Sequence, residues 1–582
     1  MLIRLAFQYF RGHIATVIAV VLLQVIQAMV NLVLPTLNAM IIDNGVVKTD
    51  IGYIVRVGAL MVGVTIVQLV FAVLATLLAA RLAMGFGYHV RGQLYGHILR
   101  LSIGNVRSFG AGSLVTRTTN DVVQMQMVVL MTFTMVLFAP IMGIGSLVLA
   151  LTIDPLLTLI LVVAIPLLLL ILVVLLRKIR PLFEVNQTRI DAINRLMGEH
   201  LSGVRVIRAF VRQDFQRERF YAASGELRQV MLRIGSIFAV LFPAVDVIIG
   251  LAMALTLWFG AGRVDVGGIG IGELTALLTY LMHVLFSIMM ATMIFMIFPR
   301  AEVSASRAVA VLETQPAIAS PERVVALPQG HLSFSLRDVR VQFEGAPEPA
   351  LDNINLDIRV GLTTAIIGST GSGKSTLIHL LPRLIDPTSG TVLISGDSSS
   401  VNLKQLDLDT LRSRIAWVPQ KAYLFAGTIA ENVAAARGED IDSKRVVQAL
   451  EWAQGMEFVS EYDEGIYHTV HPGGADLSGG QRARVALARA LYRRADLYIL
   501  DDSLSALDYG TDAAVRGALP EATAGAAVVI VASRVATIRH MDSIVVMDEG
   551  RIVGTGTHDE LVESCETYRE IIASQLSESE VR

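Results

Sequence analysis

The sequence predicts a multidomain chain: an all-α, six-helix transmembrane domain followed by an α/β domain built on a phosphate-binding loop. Three observations lead there. At 582 residues the chain is longer than one core organises. Its mean hydropathy of +0.59, with 53% hydrophobic and only 17% charged residues, is too apolar for a soluble protein. And Gly368-Ser-Thr-Gly-Ser-Gly-Lys-Ser-Thr376 follows a β-rich run, with the Gly, four residues, Gly-Lys-Ser spacing that cradles phosphate. The net charge of −3 offers no basis for nucleic-acid binding. The single cysteine, Cys565, excludes an intrachain disulfide and a multi-cysteine metal site.

The apolar excess falls in the first three hundred residues. Residues 1–13 mix Arg4, Arg11 and His13 with Leu, Ile, Phe and Tyr, and read as an interfacial amphipathic helix. A signal peptide does not fit, because the apolar run that follows is too long and lacks a small-residue cleavage pattern. Six stretches reach the roughly 20 residues that a bilayer crossing needs: residues 14–42, 55–80, 128–152, 156–176, 235–260 and 272–298. The connections 81–127 and 177–234 are rich in arginine, whereas the opposite loops hold only Lys48 and Arg263. The excess of cations puts both long connections and both termini on the cytoplasmic side. Both connections read as helical extensions that turn in the cytosol, the first broken by glycines at 108–117.

Polar residues inside spans are costly and each needs a reason. Gln24, Gln27 and Asn31 share one helix face, and Asp246 lies in mid-span. Two readings stand: a water-accessible cavity that handles a solute, with Asp246 favouring a cationic or polar group on it, or hydrogen bonding between helices.

Prolines and glycine at 316, 321, 328 and 330 place the domain boundary near 325–331, giving a membrane domain of 1–324 and a second domain of 331–575. Residues 332–343 and 354–359 alternate as strands. In the loop that follows, Lys374 has the reach for the β- and γ-phosphates and Ser375 offers a hydroxyl to Mg²⁺. Residues 417–420 end a strand in Gln420, and Asp476-Leu-Ser-Gly-Gly-Gln481 precedes a helix over 482–493, a second helix terminus suited to an anion. Residues 497–502 form an apolar strand ending in two carboxylates, the first of which, Asp501, is placed to hold Mg²⁺. Asp508 follows, and residues 526–531 are a buried strand ending near Ser533.

The order and spacing of these motifs resemble the ATPase domain of the ABC transporters, and with six preceding spans the whole chain resembles an exporter-type (type IV) half-transporter. The Leu477-to-Gln481 signature is intact. The resemblance implies ATP and Mg²⁺ as cofactors, and it implies roles. Phe343 stands where an aromatic stacks on adenine, in place of the usual Tyr. Ser369, Thr370, Gly371, Ser372, Gly373, Lys374, Ser375 and Thr376 hold phosphate. Gln420 senses Mg²⁺ and links to the membrane part. Ser478, Gly479, Gly480 and Gln481 contact the γ-phosphate of ATP held by a second half-transporter, and Asp508 acts across that interface. The turns at 108–117 and 210–220 resemble the two coupling helices.

Two positions depart from the family. Asp502 stands where a glutamate polarises the attacking water, and Ser533 stands where a histidine contacts the γ-phosphate. The resemblance then implies one half of a heterodimer, with a weak ATP site on its own phosphate loop, moving a small amphipathic or lipid-like solute through membrane lipid, most naturally outward. Import through the same fold, a homodimer in which Asp502 acts through a bridging water, and a regulatory or channel-like protein remain alternatives.

Overall fold

The computed structural model describes residues 1–343, 345–397, 399–435 and 440–575. They divide into two compact units, Met1–Leu99 with Gly110–Thr314, and Arg100–Phe109 with Gln315–Arg582. Residues 313–332 contain no helix or strand.

The first unit is entirely helical. After Leu2–Arg11 come six helices long and apolar enough to cross a membrane: Ile14–Val46, Ile51–Ile98, Ala111–Ile153, Pro155–Ser202, Gln213–Asp265 and Ile271–Leu312. All but the first run well past their apolar stretches, so the long connections are continuations of the spans. Carboxylates set the turns at the far ends. Asp154 accepts from the N–H groups of Leu156 and Leu157 at 2.8 and 3.1 Å, ahead of Pro155 at the first helical position, which starts a helix where three orphan donors need partners. Its other oxygen accepts from Arg263 at 2.8 Å. Asp43 likewise accepts from Gly272 and Glu273 N–H at the start of the last span. Gly272 is required there, because a Cβ would lie 2.2 Å from the Ala39 carbonyl oxygen.

The first, third and sixth spans pack through Ala28, Leu32, Met142, Leu277 and the fully buried Tyr280. The Tyr280 hydroxyl donates to the Leu32 carbonyl at 2.9 Å and shares a hydrogen bond with Thr36 at 2.7 Å, so burying the phenol leaves no unpaired polar atom. The fourth and fifth spans meet through Leu161, Leu168, Val245 and Ile248. Gln24 is buried at 2% exposure, whereas Asp246 is exposed on its helix.

The cytoplasmic turns differ in detail from expectation. The segment that groups with the second unit is 100–109, not 108–117. Its short helix, Ile103–Phe109, stops at Gly110, whose φ of +77° ends the helical path. Asn105 accepts there from the Ala317 N–H at 3.1 Å. The expected segment 210–220 straddles a bend, where Val211 takes a φ of +52° between Val204–Ala209 and the helix that starts at Gln213.

Among its described residues the second unit holds twelve strands: β1 (Ser333–Val341), β2 (Leu351–Ile358), β3 (Thr363–Gly368), β4 (Ser389–Ser395), β5 (Ser400–Asn402), β6 (Ile415–Val418), β7 (Gly427–Thr428), β8 (Thr469–Val470), β9 (Leu497–Asp501), β10 (Ala527–Val531), β11 (Ser543–Asp548) and β12 (Arg551–Gly556). One sheet runs β2-β1-β4-β5 and is antiparallel. The central sheet runs β12-β11-β3-β10-β9-β6, parallel except for its β12 edge. β9 and β10 are buried at every position, as expected of strands covered on both faces. Phe334, Leu336, Ile366, Leu377 and Val529 share one core. A second core, with Leu424, Val446, Phe458 and Leu487, lies under the helical part.

Candidate active site

A cleft of about 610 Å³ opens at the carboxyl ends of the parallel strands, the place where open α/β sheets bind ligands. β3 delivers the phosphate loop, β6 ends just before Gln420, β9 ends in Asp501, and β10 leads to Ser533. Of the residues singled out above, the cleft brings together Ser369, Thr370, Gly371, Gly373, Lys374, Ser375, Thr376, Gln420, Asp501, Asp502 and Ser533. Ser372 is buried beneath the loop, with its Oγ 3.4 Å from the Lys374 Nζ.

The loop is shaped by glycine. Gly371 and Gly373 take φ of +90° and +95°, a left-handed path that turns the backbone into an anion-binding concavity. A Cβ on Gly368 would lie 2.1 Å from the Met547 carbonyl oxygen, and one on Gly373 2.7 Å from that of Ala350. Lys374 starts the next helix and donates to the carbonyls of Gly368 and Ser369 at 2.9 and 2.7 Å. Its ammonium is thus held at the mouth of the loop. Burial lowers its pKa, with Asp502 and Asp501 opposing.

The carboxylates carry the reactive electrostatics. Asp501 is 6% exposed. Burial first, and then the charge of Asp502, push its pKa up to about 6, against the pull of Lys374. A buried carboxylate whose charge is disfavoured, beside the Ser375 hydroxyl and the Gln420 amide, is a hard-oxygen donor set that a divalent cation relieves. Asp502 sits in a left-handed turn at φ +47°. Gln420 Nε2 donates to its Oδ2 at 3.4 Å and Ser533 Oγ to its Oδ1 at 3.1 Å. Its backbone is fixed as well: the N–H donates to Val531 and the carbonyl accepts from Ser505 Oγ.

Other residues lie outside the cleft lining. Phe343 is 48% exposed. Ser478 caps the helix Gly479–Tyr492: its Oγ accepts from the Gln481 N–H at 3.2 Å, while Gln481 Oε1 accepts from the Ser478 N–H at 2.8 Å. This reciprocal box starts the helix three residues before the expected Arg482, and it presents Ser478 and Gly479 on the surface. Asp508 caps Tyr509–Thr523, and its hydrogen bonds from the Thr511 hydroxyl and N–H lower its pKa. Asp246 belongs to the other unit. Sequence reasoning missed Ile571, Ser574 and Gln575, which line the cleft from the helix Glu566–Gln575. No motif marks them, and only the packing of that helix against β11 and the segment after β10 finds them.

Comparison with known proteins agrees with this layout. Residues 17–289 match the ABC transporter transmembrane region, and residues 351–505 match the ABC transporter family. An uncharacterized ABC transporter ATP-binding protein of Mycobacterium tuberculosis strain H37Rv is 39% identical over 578 residues, 99% of this chain and 98% of the relative. Another, of Bacillus subtilis strain 168, is 32% identical over 95% of both chains. An ATP-dependent lipid A-core flippase of Vibrio vulnificus strain YJ016 is 28% identical over 96% of this chain and 95% of that protein.

Proposed function

The chain belongs to the ABC transporter family, as an exporter-type half-transporter with a cytoplasmic ATPase domain, and from that premise we propose that it is one half of a heterodimer whose own ATP site binds nucleotide and hydrolyses it slowly. Its work is to move an amphipathic, drug-like or lipid-like solute outward across a bacterial membrane. The lipid A-core flippases among its relatives support that solute class.

In this reading Lys374 and the loop glycines hold the phosphates, and Phe343 stacks on the base. Ser375, Gln420 and Asp501 would hold Mg²⁺, which when bound would neutralise charge on the phosphates, and the remaining task of this chain's residues is to orient water.

One observation carries the slow-hydrolysis reading. Asp502 and Ser533, the two departures from the family pattern, meet at 3.1 Å in the cleft of this chain's own phosphate loop. An aspartate is one methylene shorter than glutamate, and misplacing a catalytic group by about 1 Å costs around 10²-fold in rate. Serine carries no positive charge to set against a γ-phosphate. The signature is intact, with Ser478 and Gly479 exposed, as is Asp508, so the chain contributes a competent half to the ATP site on its partner's loop. Vanadate-sensitive, solute-stimulated ATPase in the co-purified pair tests the transport reading. A pair that binds ATP without solute-stimulated turnover contradicts it and favours a regulatory protein.

A further inference from the structure

The helix Glu566–Gln575 walls one side of the cleft with Ile571, Ser574 and Gln575. Its last residue grips the segment that follows β10 from two directions. Gln575 Nε2 donates to the Ser533 carbonyl at 2.8 Å, and Gln575 Oε1 accepts from the Val535 N–H at 2.8 Å. A single side-chain amide thus satisfies a carbonyl and an N–H two residues apart, as the edge of a neighbouring strand does. The same segment is tied on its other flank. Ala532 N–H donates to the Ile366 carbonyl, Asp502 N–H donates to the Val531 carbonyl, and Ser533 Oγ donates to Asp502 Oδ1. The helix is itself well anchored, with Tyr568 and Ile572 buried in one core with Val535 and Ile538.

We propose that Gln575 is a positioning residue for the ATP site: its amide fixes the segment 533–535 so that the side chain at position 533 is presented to Asp502 and to the reacting phosphate. The inference rests on the assignment of this cleft as the ATP site, but not on the cleft being slow. Both contacts are to main chain, so the clamp holds whichever side chain stands at 533. Ser533 is exposed, so water replaces its carbonyl's partner cheaply, whereas Val535 is buried and its N–H is the costlier contact to lose. The clamp acts on stability through Val535 and on placement through both contacts, and placement is what a reacting centre is sensitive to.

The test uses the full-length chain in lipid nanodiscs and two readouts. The first is amide hydrogen exchange at Val535 in the otherwise unaltered chain. Gln575→Ala is expected to speed it about tenfold, the loss of one hydrogen bond, with a small drop in the thermal transition. The second is ATP turnover in a chain carrying Asp502→Glu and Ser533→His. There Gln575→Ala is expected to lower kcat about tenfold with KM for ATP within about twofold. In the turnover assay Gln575→Glu is expected to behave like Gln575→Ala, since a carboxylate has no proton for the Ser533 carbonyl, while its acceptance from Val535 keeps exchange there slow. Unchanged exchange at Val535 in Gln575→Ala, a rise in KM alone, or full activity in Gln575→Glu overturns the proposal. If the chain with Asp502→Glu and Ser533→His hydrolyses no faster than the original, the site is limited elsewhere, and the exchange readout still decides the clamp.

Discussion

Ser533 Oγ donates to Asp502 Oδ1 at 3.1 Å, so the two positions that depart from the family pattern are direct neighbours in one cleft. Side chains in contact do not act additively. In the assembled transporter, Asp502→Glu together with Ser533→His is expected to raise ATP turnover at this site by up to about 10²-fold, and either change alone by much less. A steady-state assay of the four combinations measures this. An unchanged double variant means that the site is limited elsewhere.

Lys374 has its strong contacts to the loop carbonyls of Gly368 and Ser369, with the Ser372 hydroxyl at 3.4 Å. Lys374→Ala therefore leaves the glycine-shaped loop in place and removes the cation. ATP affinity of this chain is expected to fall about 10- to 100-fold, the worth of charge-assisted hydrogen bonds. Photolabelling of this chain with an azido-ATP reads it without interference from a partner.

Asp501 gives a dependence on pH. Its folded pKa is about 6, above the usual 3.8, so the folded chain keeps this proton longer than the unfolded chain does. Folding stability from this group falls as pH rises from about 4 to 6 and is level above that. Asp501→Asn is thus expected to raise the thermal transition of the nucleotide-free protein at pH 7, with little effect at pH 3.5, while abolishing any tightening of ATP binding by Mg²⁺. An equal gain at both pH values contradicts the burial-driven shift.

Ser478 has two tasks that separate experimentally. As the cap of Gly479–Tyr492 its loss costs about 1 kcal/mol of local stability. As part of the exposed signature it acts on ATP held by the other half. Ser478→Ala is expected to lower turnover of the pair while ATP affinity at this chain's own loop stays as it was. Loss of affinity at Lys374 in that variant contradicts the division of labour.

Asp246 is exposed on its apolar helix, and a carboxylate facing lipid is expensive. That position makes sense where the helix meets water or a partner. Asp246→Asn is expected to weaken transport of cationic or polar solutes more than of neutral ones. Equal transport of every solute returns Asp246 to a packing role.

What was legible in the sequence was what lies contiguous in it. The phosphate loop, the strand ending in Asp501 and the six apolar stretches each carry their physics within a dozen or so neighbouring residues. What was not legible depends on closure in space. The start of the signature helix moved because Ser478 and Gln481 cap each other, drawing Gly479 and Gly480 into the helix. The segment that groups with the second unit moved to 100–109 because Gly110 ends a helix there, so that Ala111–Thr118 forms the next one. Gln575 lies 42 residues from Ser533, on a helix whose pattern reports only its buried face. Its grip on main chain leaves no trace in the residue types it touches.

We propose that this chain holds ATP in a weak site and needs a second half-transporter to turn it over. The test is ATPase activity of the chain purified alone in lipid, beside the same chain co-expressed with a second half-transporter. Negligible turnover alone and robust turnover together are expected. Robust turnover alone, abolished by Lys374→Ala, contradicts it, and makes Asp502 a working catalytic carboxylate in a homodimer.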